Sequence, residues 1–263
     1  MNDRVYLFQD AMMLMPVEAS EGMFSLGIPL ADINFSVQFV DIPSLSPNQP
    51  NIKIGDAPSG AVLPEGWRRT PMRQVVSYIS AGDAERVLRA FHIAQWRRES
   101  VYCGVCGNKN VDLRTETARV CPHCGRFEYP RIAPAVITLV TNDEDEILLA
   151  HNVKFKAGVY SLIAGFNEAG ECLEQTVERE IWEETGLKVN DVCYKISQSW
   201  PFPCSLMTGW TARCAGGVLR PDGIEIEDAH WFRRDALPEL PGGGSAARRL
   251  INQWLYGRHE GIF

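Results

Sequence analysis

The chain has 263 residues, of which 45% are hydrophobic, 22% charged and 10% aromatic. This composition is typical of one large or two smaller globular domains and argues against disorder or fibrous repeats. The formal net charge of −7 argues against broad electrostatic attraction to nucleic acid or to an anionic membrane. A polyanionic substrate would therefore have to be bound locally, and metal ions are the most direct means.

The sequence predicts neither a membrane span nor a secretory signal. The longest apolar stretches, such as residues 133–140, fall far short of the roughly 20 residues that cross a bilayer. Residues 1–16 contain Asp3 and Asp10 and lack a basic segment followed by an apolar core. We therefore expect no membrane partner and a cytoplasmic location.

Residues 1–100 are predicted to form a small α+β domain. Residues 16–71 are rich in proline and contain short alternating segments, such as residues 35–40, which are typical of strands joined by turns. From Asp83, an expected N-cap, apolar residues follow at helical spacing to about Trp96. One helix is therefore expected to close this domain.

Residues 131–263 predict a larger domain that contains both strands and helices. Strands are expected at residues 135–141, 146–150 and 159–166. A turn signal at residues 142–145 predicts that the first two strands form a hairpin. Residues 173–185 lack glycine and proline and end at Gly186, which predicts a helix, and a last helix is expected to begin near Ser245.

Four of the eight cysteines form two Cys-x2-Cys pairs that are separated by 14 residues. The pairs are Cys103 with Cys106 and Cys121 with Cys124. This spacing fits tetrahedral zinc, because each short turn presents two thiolates to one metal ion. Four thiolates leave no open position for water or substrate, so we expect a structural zinc ribbon over residues 101–130. The other four cysteines are expected to be small apolar residues rather than ligands.

The predicted helix over residues 173–185 carries three carboxylates on one face. At about 100° per residue, Glu180, Glu183 and Glu184 project within an arc of roughly 100°. A solvated acidic face is the simpler interpretation, but it does not explain the glycine-framed loop before the helix or Glu171 at the end of that loop. Clustered carboxylates are the ligands that Mg²⁺ or Mn²⁺ need, and such ions often bridge protein carboxylates to phosphates.

Together the loop and helix read Gly-x5-Glu-x7-Arg-Glu-Ile-Trp-Glu-Glu-Thr-Gly-Leu, which resembles the complete Nudix box of the Nudix hydrolases. The resemblance implies an α/β/α sandwich of the α+β class and metal-dependent cleavage of a diphosphate attached to a nucleoside. It implies that Glu180 and Glu184 are the main metal ligands and that Arg179 orients a glutamate. Glu183 or Glu171 would complete the metal shell or relay a proton, and the choice of base stays open.

A third motif, Ser-Gln-Ser-Trp-Pro-Phe-Pro-Cys-Ser at residues 197–205, follows the strand after the box. Prolines on both sides of Phe202 stiffen the segment, so that Trp200 or Phe202 can present a ring to a nucleobase or nicotinamide. Hydrophobic packing is the alternative interpretation. With the box and the four-cysteine ribbon, the motif resembles the NADH pyrophosphatase subfamily, except that Ser199 stands where the subfamily has proline.

This closer resemblance implies hydrolysis of NADH or NAD to nicotinamide mononucleotide and AMP, removal of NAD caps from RNA 5′ ends, and a homodimer. It implies that Ala164 and Glu225 join Glu180 and Glu184 at the catalytic metal ions. The substrate-binding residues that it implies are Arg73, Glu116, Tyr129, Gln198, Ser199, Trp200, Pro201, Phe202, Pro203, Cys204, Ser205 and Ala247. A substrate-contacting lysine in the subfamily's N-terminal domain has no clear counterpart, since Lys53 is the only lysine before residue 100.

The main alternative is a Nudix enzyme for another nucleoside diphosphate derivative, such as ADP-ribose, and the aromatic motif argues against it. A binding module, in which the ribbon recruits RNA and the box is inert, is less favoured because every carboxylate of the box is present. Packing of the ribbon is the alternative role for Tyr129. Spacing alone does not distinguish Glu225 from the acidic residues beside it.

Overall fold

The computed structural model describes residues 4–17, 37–45, 51–78, 81–113 and 115–257. The chain divides into two compact units, Met1–Arg131 and Ile132–Phe263. The first unit includes both the expected N-terminal domain and the expected ribbon, and their separation into two domains stays a prediction. Among the described residues, no helix is both long enough and apolar enough to cross a membrane.

The first unit contains a five-stranded sheet and two helices. They are β1 (Arg4–Gln9), β2 (Met12–Pro16), β3 (Gln38–Ile42), β4 (Ile52–Asp56), β5 (Trp67–Pro71), α1 (Met72–Tyr78) and α2 (Ala81–Glu99). The strand order is β3-β4-β1-β2-β5, with β1 and β4 parallel and the other pairs antiparallel. The prediction of Asp83 as an N-cap is wrong, because α2 begins two residues earlier. Residues 35 and 36 of one predicted strand lie outside the described residues.

A small antiparallel sheet carries the cysteine pairs, one before its first strand and the other between its last two strands. Its strands are β6 (Val111–Asp112), β7 (Arg119–Val120) and β8 (Phe127–Glu128). All four Sγ atoms lie within 4.8 Å of one another, and the distances are 3.6 Å for Cys103–Cys124 and 3.4 Å for Cys106–Cys121. A Zn–S bond of about 2.3 Å gives a tetrahedron with edges of about 3.8 Å. The four thiols therefore fit one zinc ion.

The second unit contains a mixed sheet between two helices. Its elements are β9 (Ala133–Thr141), β10 (Ile147–Asn152), β11 (Ile163–Phe166), α3 (Leu173–Thr185), β12 (Leu187–Trp200), β13 (Ser205–Gly217), β14 (Ile226–Phe232) and α4 (Ala246–Tyr256). The order is β12-β13-β9-β10-β14, and β11 also pairs with β9. Strands β9 and β13 are parallel, whereas the other pairs are antiparallel.

Most local predictions for this unit are confirmed. Strands β9 and β10 form the expected hairpin, and α3 has the expected bounds. Gly186 ends α3 with a φ of 71°, a left-handed conformation that glycine adopts without steric cost. The side chain of Ser245 accepts a hydrogen bond from the backbone N–H of Arg248 and so caps α4. The third strand is shorter than expected, since β11 begins at Ile163 rather than at residue 159.

Side chains of the central strand β9 alternate between two buried faces. The cluster on the α3 side contains Val136, Val140, Val177 and Ile181. The cluster on the α4 side contains Ile137, Leu139, Leu250 and Ile251. The predicted α/β/α sandwich of the α+β class is confirmed. With Val177 and Ile181 of α3 buried in the core, the Glu180 side chain lies against Gly165 of β11.

We predict that purified protein contains about one zinc ion per chain, and that Cys121→Ser lowers this content and the melting temperature, because three thiolates leave the tetrahedron incomplete. Elemental analysis and circular-dichroism melting measure the two effects. Cys193→Ser changes an exposed cysteine on β12 and serves as the control with normal zinc content. Unchanged zinc content in Cys121→Ser would contradict the assignment.

We predict that Ile181→Ala lowers the free energy of unfolding by about 2–5 kcal/mol, because the side chain is fully buried between α3 and the sheet. The neighbouring Trp182 is 58% exposed, so Trp182→Ala is the matched control, with a change within about 0.5 kcal/mol. Urea unfolding followed by circular dichroism gives both values. Similar losses in the two variants would contradict this packing.

Candidate functional site

Arg179, on α3, contacts three of the predicted site glutamates. Its guanidinium donates hydrogen bonds to Glu171 at 2.6 and 2.9 Å, to Glu180 at 2.8 Å and to Glu183 at 3.1 Å. It also donates to the backbone oxygen of Phe166, at the end of β11, at 2.9 Å. One cation therefore connects the helix face, the loop before the helix and the neighbouring strand.

Glu171 is a fully hydrogen-bonded carboxylate at the start of α3. Besides Arg179, it accepts hydrogen bonds from the backbone N–H of Glu168 at 3.1 Å and from the hydroxyl of Thr176 at 2.9 Å. The bonds from Arg179, and then those from Glu168 and Thr176, lower the pKa of Glu171 to about 2. Glu171 therefore stays charged at neutral pH, and it ties the loop to the first turns of the helix.

Glu180 lies against the backbone of Gly165 in β11. A Cβ atom on Gly165 would come within 1.9 Å of the Glu180 Cδ atom, so a side chain at this position would displace the carboxylate. Ala164, the preceding residue, is exposed and pairs with Ile137 of β9. The structure therefore places Glu180 beside the strand that carries Ala164.

Glu184 is a buried carboxyl group that forms no ion pair within the described part of the chain. Its side chain is 6% exposed, and its Oε2 atom has no hydrogen-bond partner among the described residues. Burial, and then the charges of Glu180 and Glu225, raise the pKa of Glu184 to about 8. Burial also raises the pKa of Glu180, against the opposing effect of Arg179. Such a cluster of buried carboxylates fits a divalent cation, which would stabilise their charged forms.

The glutamates do not form a complete coordination shell in this structure. In the described part of the chain, only the four cysteines form a group of three or more potential ligands within 4.8 Å of one another. Glu180 and Glu183 each accept a hydrogen bond from Arg179. Glu225 lies near enough for its charge to raise the pKa of both Glu180 and Glu184. The predicted ligands are therefore neighbours, but they are not arranged around one point.

Asp222 belongs to this cluster although the sequence analysis did not identify it. Its carboxylate accepts hydrogen bonds from the backbone N–H groups of Ile224, Glu225 and Ile226 at 3.0, 3.1 and 2.9 Å. These bonds hold the turn that carries Glu225, and the charge of Asp222 contributes to the raised pKa of Glu184. The Asp-Gly pair at residues 222–223 is a turn signal that could have indicated this role.

The Trp-Pro-Phe-Pro motif forms the end of β12 and the turn into β13. The rings of Trp200 and Phe202 meet edge to face, with their centroids 5.0 Å apart. Gln198 and Ser205, at the ends of the two strands, are buried. The side chain of Gln198 donates a hydrogen bond to the backbone oxygen of Gly244 at 2.7 Å. The motif is therefore a rigid strand connection that carries an aromatic pair, with both rings half-buried.

The other residues of this motif differ in exposure. Pro201 is buried, Cys204 is half-buried, and Ser199 and Pro203 are exposed. Ser205 pairs with Ala133 of β9, whereas Ala164 pairs with Ile137. The two partner residues on β9, Ala133 and Ile137, are four residues apart, which corresponds to about 13 Å along the strand. An extended ligand could therefore contact both the motif and the carboxylates.

The remaining predicted substrate residues lie in different settings. In the first unit, Arg73 is exposed on α1, and the Tyr129 hydroxyl is 3.5 Å from Glu116. The Tyr129 ring stacks on Phe127 at 6.4 Å, yet the residue is 53% exposed and keeps a ring surface free. In the second unit, Ala247 is buried in the cluster beneath α4, so its predicted role as a substrate contact stays a prediction.

Known protein families match both parts of the chain that carry these motifs. The model of the NUDIX domain matches residues 131–255, and that of the NADH pyrophosphatase zinc ribbon domain matches residues 98–129. The NAD-capped RNA hydrolase NudC of Enterobacter sp. (strain 638) is 44% identical over 207 residues, which cover 77% of this chain and 80% of that protein. The protein of the same name from Pseudomonas aeruginosa (strain LESB58) is 44% identical over 193 residues, which cover 72% and 68%.

These matches include the glutamate helix and the cysteine quartet, so the resemblance found in the sequence is confirmed. The four clustered cysteines are those of the family's zinc ribbon. The sheet between α3 and α4 lies within the matched NUDIX domain. This chain therefore belongs to the Nudix hydrolase family.

Proposed function

We propose that the protein hydrolyses the diphosphate bond of NADH or NAD to nicotinamide mononucleotide and AMP, and that it removes NAD caps from RNA 5′ ends. The observation that carries this proposal is the carboxylate cluster of Glu180, Glu184 and Glu225 beside β11. The relatives named NAD-capped RNA hydrolase support the substrate class. The aromatic turn supports it as well, because it offers rings to a nicotinamide or adenine.

Mg²⁺ or Mn²⁺ fits the carboxylate cluster. Glu180, Glu184 and Glu225 would hold the ion together with the backbone of Ala164, and the unpartnered oxygen of Glu184 is a ready ligand. Such an ion supplies an acidified water and neutralises the charge of the diphosphate. The four cysteines would hold Zn²⁺ as a structural ion, since they fill its tetrahedron.

The hydrogen bonds support different proposed tasks for the remaining residues of the box. Arg179 positions Glu180, and Glu171 fixes Arg179. Glu171 is a poor proton acceptor at neutral pH, because its pKa is about 2 and both of its oxygens accept hydrogen bonds. Glu183 is 49% exposed and has one hydrogen bond to Arg179. We therefore assign proton transfer to Glu183 and a positioning role to Glu171.

We assign stacking of the substrate to the rings of Trp200 and Phe202. The other proposed substrate contacts are Arg73, Glu116, Tyr129, Gln198, Ser199, Pro201, Pro203, Cys204, Ser205 and Ala247. The subfamily resemblance also supports a homodimer and a cytoplasmic location. It supports division of the chain into an N-terminal domain (residues 1–100), a zinc ribbon (101–130) and a Nudix domain (131–263).

The proposal is tested by chromatography of NADH, NAD, ADP-ribose and NAD-capped RNA after incubation with the protein and Mg²⁺ or Mn²⁺. Release of nicotinamide mononucleotide from the NAD compounds is the expected result. Absence of this product from all three would reject the proposal. Faster cleavage of ADP-ribose would favour the alternative function instead.

We predict that Glu180→Gln leaves the fold intact and lowers turnover by about a hundredfold or more, because a neutral amide is a poor ligand for a divalent cation. Steady-state kinetics at saturating metal measure the loss. Glu178→Gln is the matched control, since Glu178 lies on the same helix and is exposed. Near-normal turnover of Glu180→Gln would contradict the assignment of Glu180 as a metal ligand.

We predict that Gly165→Ala has a loss of turnover close to that of Glu180→Gln, because the added methyl group occupies the space of the Glu180 carboxylate. Turnover should fall, while the zinc content and the midpoint of urea-induced unfolding stay near those of the wild type. Gly243→Ala is a control for the glycine-to-alanine change in the same unit, because the added Cβ would meet no neighbouring atom within 4 Å. Full activity of Gly165→Ala would contradict the prediction, because it would show that the Glu180 carboxylate functions without its position beside Gly165.

We predict that Trp200→Ala reduces kcat/KM for NADH more than for a dinucleotide without nicotinamide, such as diadenosine diphosphate, because the removed ring stacks on the nicotinamide. The comparison requires the same metal concentration for both substrates. Equal losses for both substrates would refute stacking on nicotinamide and favour a packing role for Trp200.

A further inference from the structure

A groove of about 650 Å³ lies beside the C-terminal turn of α3. Its lining includes Trp182, Glu183, Val218, Arg220, Pro221 and Asp222. Two of these residues also belong to the carboxylate cluster, since Glu183 binds Arg179 and Asp222 raises the pKa of Glu184. The groove therefore borders the proposed diphosphate site.

Trp182 presents an aromatic ring to this groove without contributing to the core. The residue is 58% exposed, and it belongs to neither of the two core clusters of this unit. Val218, which also lines the groove, is 80% exposed. An aromatic ring and an aliphatic side chain around a groove of this size form a surface for a flat ligand.

Arg220 supplies positive charge to the same groove. The residue is exposed, and within the described part of the chain only its backbone N–H is hydrogen-bonded, to the oxygen of Thr185. The two carboxylates of the groove are engaged elsewhere: Glu183 binds Arg179, and Asp222 accepts backbone N–H groups. The guanidinium of Arg220 is therefore available to an anion.

We propose that this groove binds the first nucleotide of the RNA that follows the NAD cap, with its base on Trp182 and its phosphate at Arg220. This inference rests on the proposed function. A capped RNA continues as a single strand beyond the AMP half of NAD, and proteins bind single strands by stacking bases on aromatic rings and pairing phosphates with cations. Free NADH lacks this nucleotide, so the groove distinguishes the two substrates.

The test compares kcat/KM for a short NAD-capped RNA and for NADH in Trp182→Ala and Arg220→Ala. Each variant should lower kcat/KM for the capped RNA by about fivefold or more, mainly through KM, and leave that for NADH within about twofold. The matched controls are Tyr256→Ala, an exposed aromatic residue at the end of α4, and Arg213→Ala, an exposed arginine of β13. Both controls should leave both substrates unaffected.

Four results would overturn the inference. Equal losses of kcat/KM for the two substrates would indicate that the groove is part of the NADH pocket. Unchanged kcat/KM for capped RNA would indicate that the groove does not contact the RNA. A change in the oligomeric state of either variant, measured by light scattering, would indicate that the groove is an interface between copies of this chain. Wild-type protein that cleaves NADH but not capped RNA would refute the inference alone, whereas cleavage of neither would reject the proposed function as well.

Discussion

The ion pairs of Arg179 are the interaction on which the site depends. Several carboxylates on one helix face repel one another, and burial of Glu180 adds a desolvation penalty to its charged form. A guanidinium has donors in a fixed planar fork, so one arginine can bind Glu171, Glu180 and Glu183 at once. Its further bond to Phe166 attaches this charge network to the sheet. One side chain therefore fixes the positions of Glu171, Glu180 and Glu183 relative to the sheet.

The network leaves one buried carboxyl group, that of Glu184, without an ion pair among the described residues. Glu184 is buried beside Glu180 and Glu225, and its pKa of about 8 expresses the cost of charging it there. A divalent cation would offset this cost and would also attract the diphosphate that an acidic protein otherwise repels. Residues 131–263 contain 13 basic and 19 acidic residues and so carry −6 of the net charge of −7. The acidity of this half is consistent with its proposed chemistry.

Local signals in the sequence predicted the elements that carry the chemistry. Gly186 ends α3 where expected, because glycine tolerates the left-handed conformation that closes the helix. The two Cys-x2-Cys turns bring their thiols together because each pair spans one tight turn. The start of α2 and the length of β11 were less well predicted, because strand and helix ends depend on pairing partners that are distant in the chain.

The sequence by itself determined the family motif, the zinc ribbon, and the helix that carries the glutamates, since each depends on spacing within about 25 residues. The subfamily resemblance had already implied that Glu225 joins Glu184. Tertiary structure alone decided that Asp222 lies near Glu184, that Gly165 must leave room for the Glu180 carboxylate, and that Trp182 and Arg220 share a groove. The physical reason is strand register. Pairing of β11 with β9 and of β14 with β10 sets which side chains meet, and such pairings join residues far apart in the chain.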